Sequence, residues 1–294
     1  MNEWHENPPG KILLATDLSG RSDRALDRAV QLANTWKAEL HVVHVLEESS
    51  ALSDSRGLPS WRWPPDMAAV VERQIREDIY GPCPNLRFHV EEGPVLASIL
   101  KIVAREMPDL VVVGGRRPEP FGDLGKTIDE LFRRCPASVL VVKRRPHGPY
   151  QRVVIGEDFT PEARHGLEVA VRLFPDAEFA LMHAHEIAYG RLFLNSPLSD
   201  AFGEMEREAI RESLSEAVIP DDIRGRIDTL IEHGAPEVML SSYVREKAAD
   251  LTVIGAYERG RLFHTVVKGK GPRIVQAVPA DVLVIRPERE RDAG

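Results

Sequence analysis

The residues best suited to chemistry are glycines, cations and a carboxylate that follow apolar runs of the chain. Gly114 ends one run and opens a loop to Gly125, with Arg116 near its start and Lys126 just past its end. Backbone N–H groups of a glycine-bearing loop that enters a helix suit a phosphate, and the cations add favourable charge. Asp17 ends the first apolar run and could accept a hydrogen bond from a ribose hydroxyl, or cap the following helix. This set predicts a phosphate-bearing ligand.

Histidines and cysteines offer a second, less complete set. His183 and His185 share one face of a strand at a spacing of two, which could bind a metal ion, but no third ligand is evident. For His44 and His185 a satisfied role in a strand is the favoured interpretation, and no metal is expected beyond Mg²⁺ associated with a nucleotide. Cys83 and Cys135 form no Cys-x-x-Cys or Cys/His motif. Because no Ser/His/Asp or Cys/His arrangement and no Walker lysine motif is legible, no catalytic residue is assigned.

The elements that must position these residues occur twice. Adding 141 to the residue number takes Asp17 to Asp158 and His44 to His185, and near the end of each copy the offset becomes 143. Each copy alternates short apolar, β-branched runs with amphipathic segments, which predicts two tandem doubly wound, Rossmann-like α/β domains with five-stranded parallel sheets. A stretch of Arg, Pro, His and Gly at 143–150 separates the copies, so the expected domains are 1–146 and 147–294.

Charge and hydropathy exclude some classes of partner. The formal net charge of −8 disfavours binding to nucleic acid. No apolar run approaches the roughly 20 residues that span a bilayer, so no membrane partner is expected. The polar first residues and the two scattered cysteines favour a cytoplasmic location.

Several segments resemble the universal stress protein family. The first copy carries the resemblance in ILLATDLSGRSDRALDRAVQLA, EEGPVLASILKIVAREMPDLVVVG and CPASVLVV. The second copy carries it in VVIGEDFT, EHGAPEVMLSSYVREKAADLTVIG and VPADVLVI, so only the loops 47–65 and 187–199 lie outside it. The resemblance implies a doubly wound α/β fold of the adenine-nucleotide alpha-hydrolase-like kind, a stress-response role, frequent dimerisation and, in one subclass, ATP binding.

The ATP-binding subclass has a glycine pattern that neither copy satisfies. It reads Gly, two residues, Gly, nine residues, then Gly followed by Ser or Thr. In the first copy Arg117 stands at the second glycine and Lys126 at the hydroxyl position, with Thr127 next. In the second copy Glu258 stands at the second glycine and Gly269 is offset by one.

The expected function is that of a sensor or adaptor, at most a weak ATPase, whose ligand would be ATP or another adenine nucleotide. A nucleotide-hydrolysing enzyme on the same fold and a protein-interaction scaffold without ligand are the alternatives. The first copy, where Ala15 and Val45 would wall the adenine, is expected to bind more tightly. The second would place Glu157, Glu258 and Glu186, which the offset pairs with Val45, near the phosphates. The expected ligand contacts are Ala15, Thr16, Asp17, Val45, Gly114, Arg116, Gly125, Lys126 and Thr127, with Asp158, Gly255 and Gly269 in the second copy.

The last apolar run of each copy predicts how the two copies meet. The runs 139–142 and 282–285 would be costly to leave at open sheet edges. We expect them to pair about an approximate two-fold axis, which makes a dimer-like contact intramolecular, with a homodimer of the whole chain also possible. The loop from Gly114 to Gly125 is expected to be shorter and more ordered than the loop from Gly255 to Gly269.

Overall fold

The computed structural model describes residues 8–46, 67–79, 81–83, 85–116, 125–186, 197–259, 262–265 and 270–287. For 197–202 and 257–265 the description is of the backbone only. The comparison of the two glycine loops, and Arg117 and Gly269 within them, lies outside the described residues.

The first domain has a regular alternation of strands and helices. Its strands are β1 (Lys11–Thr16), β2 (Glu39–Leu46), β3 (Leu86–Glu92), β4 (Leu110–Gly114) and β5 (Ser138–Val142). Its helices are α1 (Gly20–Trp36), α2 (Met67–Asp78), α3 (Val95–Glu106) and α4 (Lys126–Arg134).

The second domain repeats this order with additions. Its strands are β6 (Arg152–Glu157), β7 (Glu178–His185), β8 (Asp228–His233), β9 (Leu251–Arg259), β10 (Leu262–Thr265) and β11 (Asp281–Ile285). Its helices are α5 (Pro161–Leu173), α6 (Pro197–Glu216), α7 (Asp221–Arg224), α8 (Pro236–Glu246) and α9 (Gly271–Ala277).

Burial explains why these segments form these elements. In α1 the buried apolar residues include Ala25, Leu26, Ala29 and Ala33, the spacing of one helical face. The two strands at the centre of the sheet, β5 and β11, are apolar after their first residue, and all five residues of each strand are buried. A strand without a polar face must be covered on both sides, which is the condition of a doubly wound parallel sheet.

One continuous sheet runs through both domains. Its order is β3-β2-β1-β4-β5-β11-β9-β6-β7-β8, and β10 pairs with β9 off this path. Neighbouring strands are parallel within each five-stranded half, and only the central pair, β5 with β11, is antiparallel along the path. The expectation of two five-stranded doubly wound domains is confirmed, with an antiparallel β9–β10 hairpin added to the second.

The central strand pair has the register of a two-fold axis. Leu140 pairs with Leu283, its own equivalent at the offset of 143, while Val139 pairs with Val284 and Val141 pairs with Val282. The equivalent positions therefore exchange about the Leu140–Leu283 pair. The predicted pairing of the last strands is confirmed, and neither central edge is left open.

Two buried cations extend this symmetry beyond the strands. Lys143 follows β5 and Arg286 follows β11, again 143 residues apart, and both are fully buried. The Lys143 ammonium donates to the carbonyls of Val275 and Val278 at the end of α9. Arg286 donates to the carbonyl of Phe132 in the last turn of α4. Each cation thus crosses to the other domain and meets the negative end of a helix there.

The register of the second strand corrects one equivalence taken from the constant offset. Thr16 pairs with His44 across β1 and β2, and its equivalent Glu157 pairs with His183 across β6 and β7. His44 therefore corresponds to His183, and pairing it with His185 was wrong by two residues. The cause is that the connection from β6 to β7 is two residues shorter than the connection from β1 to β2.

The chain after Gly255 also differs from the loop that was expected there. Gly255 lies within β9, which continues to Arg259 and turns back through β10. Ala256 pairs with Thr265 and Arg259 with Leu262 in this hairpin. The expectation that a loop opens directly after Gly255 was wrong, because the chain continues as a strand and pairs with β10.

Candidate functional site

Asp17 lies in the turn between β1 and α1, and its carboxylate already has protein partners. Its Oδ1 accepts hydrogen bonds from Ser19 N at 3.0 Å and from Ser22 Oγ at 2.6 Å, and Oδ2 lies 3.2 Å from the Arg21 guanidinium. Burial opposes ionisation, but these hydrogen bonds and the charge of Arg21 outweigh it and lower the pKa of Asp17 to about 2. Asp17 therefore braces the start of α1, and its half-exposed side chain leaves Oδ2 as the oxygen that a ligand could reach.

Asp158 holds the matching turn of the second domain. Its Oδ1 accepts from Thr160 Oγ1 at 2.7 Å, and Thr160 in turn caps α5 by accepting from Ala163 N. Leu18 and Phe159, one residue past each aspartate, share a left-handed conformation with φ of 56° and 63°. A non-glycine residue held there costs of order 1–3 kcal/mol, so both turns are strained in the same way.

Gly114 and Gly115 bring the end of β4 against its neighbours. A Cβ at Gly114 would lie 2.8 Å from the carbonyl oxygen of Arg21, and a Cβ at Gly115 would lie 2.5 Å from Val141 Cγ1. Only glycine permits this approach, which places β4 against the first turn of α1. Arg116 follows directly and is exposed at the same edge.

The start of α4 is the second backbone feature of this edge. Gly125 is its N-cap, with φ of 87° and no side-chain cap, so its positive φ favours glycine. Lys126 is exposed and Thr127 is half-buried in the first turn. The first N–H groups of a helix have no partner within the helix, so this end favours an anion.

The apolar residues expected at the adenine lie at the ends of β1 and β2. Ala15 is half-buried and packs against the apolar cluster that contains Val45, which is 9% exposed. Thr16 is tied to its neighbour because His44 Nδ1 donates to its carbonyl oxygen at 3.0 Å. The structure therefore gathers Ala15, Thr16, Asp17, Gly114 and Arg116 at the carboxyl edge of the first half-sheet.

The second domain has a cleft of about 570 Å³ at its own carboxyl edge. The end of β7, the turn after β6 and one face of α6 form its walls, with Lys270 at the start of α9. Its lining residues are Asp158, Phe159, His183, Ala184, His185, Glu186, Met205, Glu206, Ala209, Pro236 and Lys270. Glu206 was missed by sequence reasoning and supplies the third donor that the His183–His185 pair lacked.

The carboxylates expected in the second domain do not all face this cleft. Glu157 is buried, and its carboxylate accepts from Phe159 N and from Ser213 Oγ at 3.1 Å. Burial raises the pKa of Glu157 to about 7, although these hydrogen bonds oppose the shift. Its placement beside a bound phosphate was wrong, because the side chain turns toward α6.

Glu186 does line the cleft, but its equivalence to Val45 was wrong. The corrected register makes Ala184 the counterpart of Val45, and both are 9% exposed. Glu186 lies beyond the end of β7, where its carboxylate meets Lys270 Nζ at 3.0 Å. The side chain of Glu258 lies outside the described residues.

Two aspartates before a strand have a role that the sequence did not reveal. Asp109 Oδ2 accepts from the backbone N–H groups of Gly10 and Lys11, each at 2.9 Å. Asp250 does the same for Gln151 and Arg152. Each aspartate therefore stabilises the start of the first strand of its domain. Their matching positions in the repeat were the available signal.

The fold and these two edges define a chain of tandem doubly wound α/β domains joined through their last strands. The sequence profile of the universal stress protein family matches residues 9–143 and 149–286. The chain belongs to the universal stress protein family.

Individual relatives agree with this assignment. The chain is 32% identical over 109 residues to universal stress protein A homolog 1 of Coxiella burnetii (strain RSA 493 / Nine Mile phase I), an alignment that covers 35% of this chain and 74% of that protein. A solved structure of a protein of unknown function from Pseudomonas aeruginosa PAO1 matches with a TM-score of 0.63 and 18% identity, covering 97% of this chain and 95% of that one. A universal stress protein from Archaeoglobus fulgidus DSM 4304 matches with a TM-score of 0.61 and 20% identity, covering 94% and 98%. These two structural matches show the shared fold.

The hydropathy of the helices bears on whether the chain could cross a membrane. Among the helices in the described part of the chain, none has both the length and the apolar character needed to cross a bilayer.

Proposed function

We propose that this chain is a stress-response sensor or adaptor whose first domain binds ATP or a related adenine nucleotide. The observation that carries the proposal is the backbone at the carboxyl edge of β4. There Gly114 makes a close approach, and Gly125 opens α4 with a positive φ and no side-chain cap. In open α/β sheets, ligands bind at this edge, and a helix N-terminus there favours phosphate.

Charge favours the first domain over the second. Arg116 and Lys126 are exposed at the carboxyl edge of the first half-sheet, where their positive charge would attract a phosphate. The cleft of the second domain is lined by Asp158, Glu186 and Glu206, with Lys270 already paired to Glu186. A like charge at contact range costs on the order of 1–4 kcal/mol, so a polyphosphate binds the first edge more tightly.

The ligand would act by biasing conformation rather than by undergoing a reaction. The N-terminus of α4 is at the proposed phosphate site, while its last turn receives Arg286 from the second domain. A nucleotide that orders the start of α4 would therefore shift the populations of states at the domain interface. A nucleotide-hydrolysing enzyme on the same fold is the second candidate, and a turnover assay on the purified chain separates the two.

Calorimetric titration of ATP into the full chain tests the proposal. The two halves share the β5–β11 pair, so the whole protein is the appropriate sample. Lys126→Gln should weaken ATP binding about tenfold, which is about 1.4 kcal/mol. Lys270→Gln makes the same charge change at the other edge and should leave the affinity within about twofold. An equal loss in both variants would contradict the assignment, and no binding by the full chain would favour the scaffold.

A further inference from the structure

The cleft of the second domain contains a compact set of metal-ligand side chains. His183 and His185 lie two residues apart on one face of β7, and Glu206 reaches them from α6. One ligand atom from each of the three lies within 4.8 Å of the others. Zn²⁺ holds nitrogen and carboxylate ligands at about 2.0–2.2 Å, so ligand atoms in a bound set lie within about 4.4 Å of one another. A small side-chain rotation therefore completes such a site.

Two atoms of this set lack the partners that burial requires. Glu206 Oε2 and His185 Nδ1 are buried, and neither has a hydrogen-bond partner among the residues that the structure describes. His185 Nδ1 lies 3.1 Å from Glu206 Oε1, but the contact lacks the geometry of a hydrogen bond. The Glu206 side chain is only 9% exposed. A buried carboxylate oxygen and a buried ring nitrogen are costly to leave unsatisfied, and a cation between them removes that cost.

The protonation of His183 suits the same role. Its Nδ1 lies 2.9 Å from the carbonyl oxygen of Glu157, which can only accept, so the ring proton lies on Nδ1. When the ring is neutral, this tautomer has its lone pair on Nε2. A histidine ligand commonly donates its other ring N–H to a carbonyl, which fixes both the tautomer and the ring orientation.

A second cluster of the same residue types in the first domain provides a contrast. His41 Nδ1 lies 2.9 Å from His89 Nε2, and His89 Nδ1 accepts from Arg105 at 2.9 Å. Glu106 also pairs with Arg105 at 2.9 Å and with Lys11 at 4.0 Å. These cations already neutralise the carboxylate, so the first-domain cluster is a hydrogen-bonded network with no need of a metal.

We infer that His183, His185 and Glu206 bind one divalent transition-metal ion, with zinc preferred, in the cleft of the second domain. Two imidazoles and one carboxylate are a donor set that zinc accepts, with a position left for water or a ligand group. The open cleft gives an entry path, and the pairing of Glu186 with Lys270 leaves that carboxylate less available to the ion. The inference stands apart from nucleotide binding by the first domain.

The experiment uses untagged full-length chain, stripped with EDTA, dialysed, and titrated with zinc chloride against a competing chelating dye. One equivalent should bind with a Kd on the order of 1 μM or tighter. Co²⁺ in place of zinc should give the visible absorption of a low-symmetry site with nitrogen and oxygen ligands. Glu206→Gln and His185→Gln should each weaken zinc binding more than about tenfold, since losing even an outer partner costs about 10–100-fold.

His89→Gln is the matched control, because it changes a histidine in the other His/Glu cluster. Zinc affinity should stay within twofold of the unmodified chain, and far-ultraviolet circular dichroism should confirm that each variant is folded. Failure of the full chain to bind zinc would overturn the inference. So would binding that survives Glu206→Gln, or binding that falls with His89→Gln. Two ligand variants are included so that a folding defect in one leaves the other to decide.

Discussion

Replacing Asp281 by asparagine should expose how strongly the two domains depend on one buried ion pair. Asp281 is fully buried at the start of β11. Its Oδ1 accepts from the backbone N–H groups of Lys143 and Arg144 at 2.8 and 3.0 Å, and Oδ2 accepts from Tyr150 OH at 2.7 Å. Arg28 of α1 lies 3.6 Å from Oδ2. One carboxylate thus joins the first domain, the connecting segment and the second domain.

The magnitude follows from what the variant leaves behind. Burial raises the pKa of Asp281, but Lys143, Arg28 and Tyr150 oppose that shift by favouring the carboxylate. The carboxylate accepts all three of its hydrogen bonds, which suits the ionised form because that form has no proton to donate. Asparagine keeps the shape and can accept from the two N–H groups, yet it leaves the Arg28 guanidinium without a countercharge at 5% side-chain exposure. Breaking a buried pair in this way costs about 3–5 kcal/mol.

A double-mutant cycle in urea at pH 7 measures the pair itself. Asp281→Asn should lower the free energy of unfolding by about 3 kcal/mol or more, and Arg28→Met should also lower it. The double variant should be more stable than the sum of the single losses predicts, by more than about 1.5 kcal/mol, because neither charge is left alone. Additivity within about 0.5 kcal/mol would refute the reasoning, as would a loss below about 1 kcal/mol for Asp281→Asn.

Two further predictions concern the interface between the domains and the carboxyl edge of the first half-sheet. Burial is the main cause that lowers the pKa of Lys143 from 10.5 to about 8. Because this pKa is lower in the folded chain than in the unfolded chain, the uncharged lysine contributes to stability above pH 10.5. That contribution is lost as the pH falls through 8. The unfolding free energy of the unmodified chain, measured against Lys143→Met, should therefore rise by about 3 kcal/mol between pH 8 and 10.5, and a flat difference would contradict the burial of the ammonium. Gly114→Ala should cost about 1–3 kcal/mol in thermal or urea unfolding, since its Cβ would meet the Arg21 carbonyl at 2.8 Å. Gly203→Ala in α6 meets only the end of a flexible Arg207 at 3.7 Å and should be neutral or stabilising by up to about 1 kcal/mol; equal losses would mean that the close approach is not the cause.

The sequence predicted the architecture because the features that specify it are local and repeated. Apolar runs such as Leu110–Gly114 are buried strands, and the apolar last runs of the two copies pair with each other as expected. The register of β7 could not be read in the same way. The connection before it is two residues shorter, and both His183 and His185 fit a histidine at the expected face. Only the partner strand, through Glu157, decides between them.

The candidate sites were less predictable because their members come from separate elements. Glu206 lies on α6, 21 positions beyond His185, and nothing in its sequence neighbourhood marks it as a ligand. Lys143 and Asp281 meet only because the domains pair across β5 and β11. Glu157 follows a strand like its counterpart Thr16, yet it is buried against Ser213. Contacts of this kind depend on tertiary packing, which the spacing of residues in the sequence does not predict.

The two copies have diverged at their carboxyl edges while their shared interface keeps its symmetry. At the interface, Lys143 and Arg286 occupy equivalent positions and make reciprocal contacts to helix ends. At the edges, Thr16 corresponds to a buried Glu157, and the second edge carries the His183–Glu206 cluster while the first edge carries exposed cations. Edge side chains can change without disturbing the apolar strands beneath them, whereas the interface residues are packed from both sides. A fused pair can therefore change its two edges independently while the shared interface is kept, which two copies of a single domain could not do.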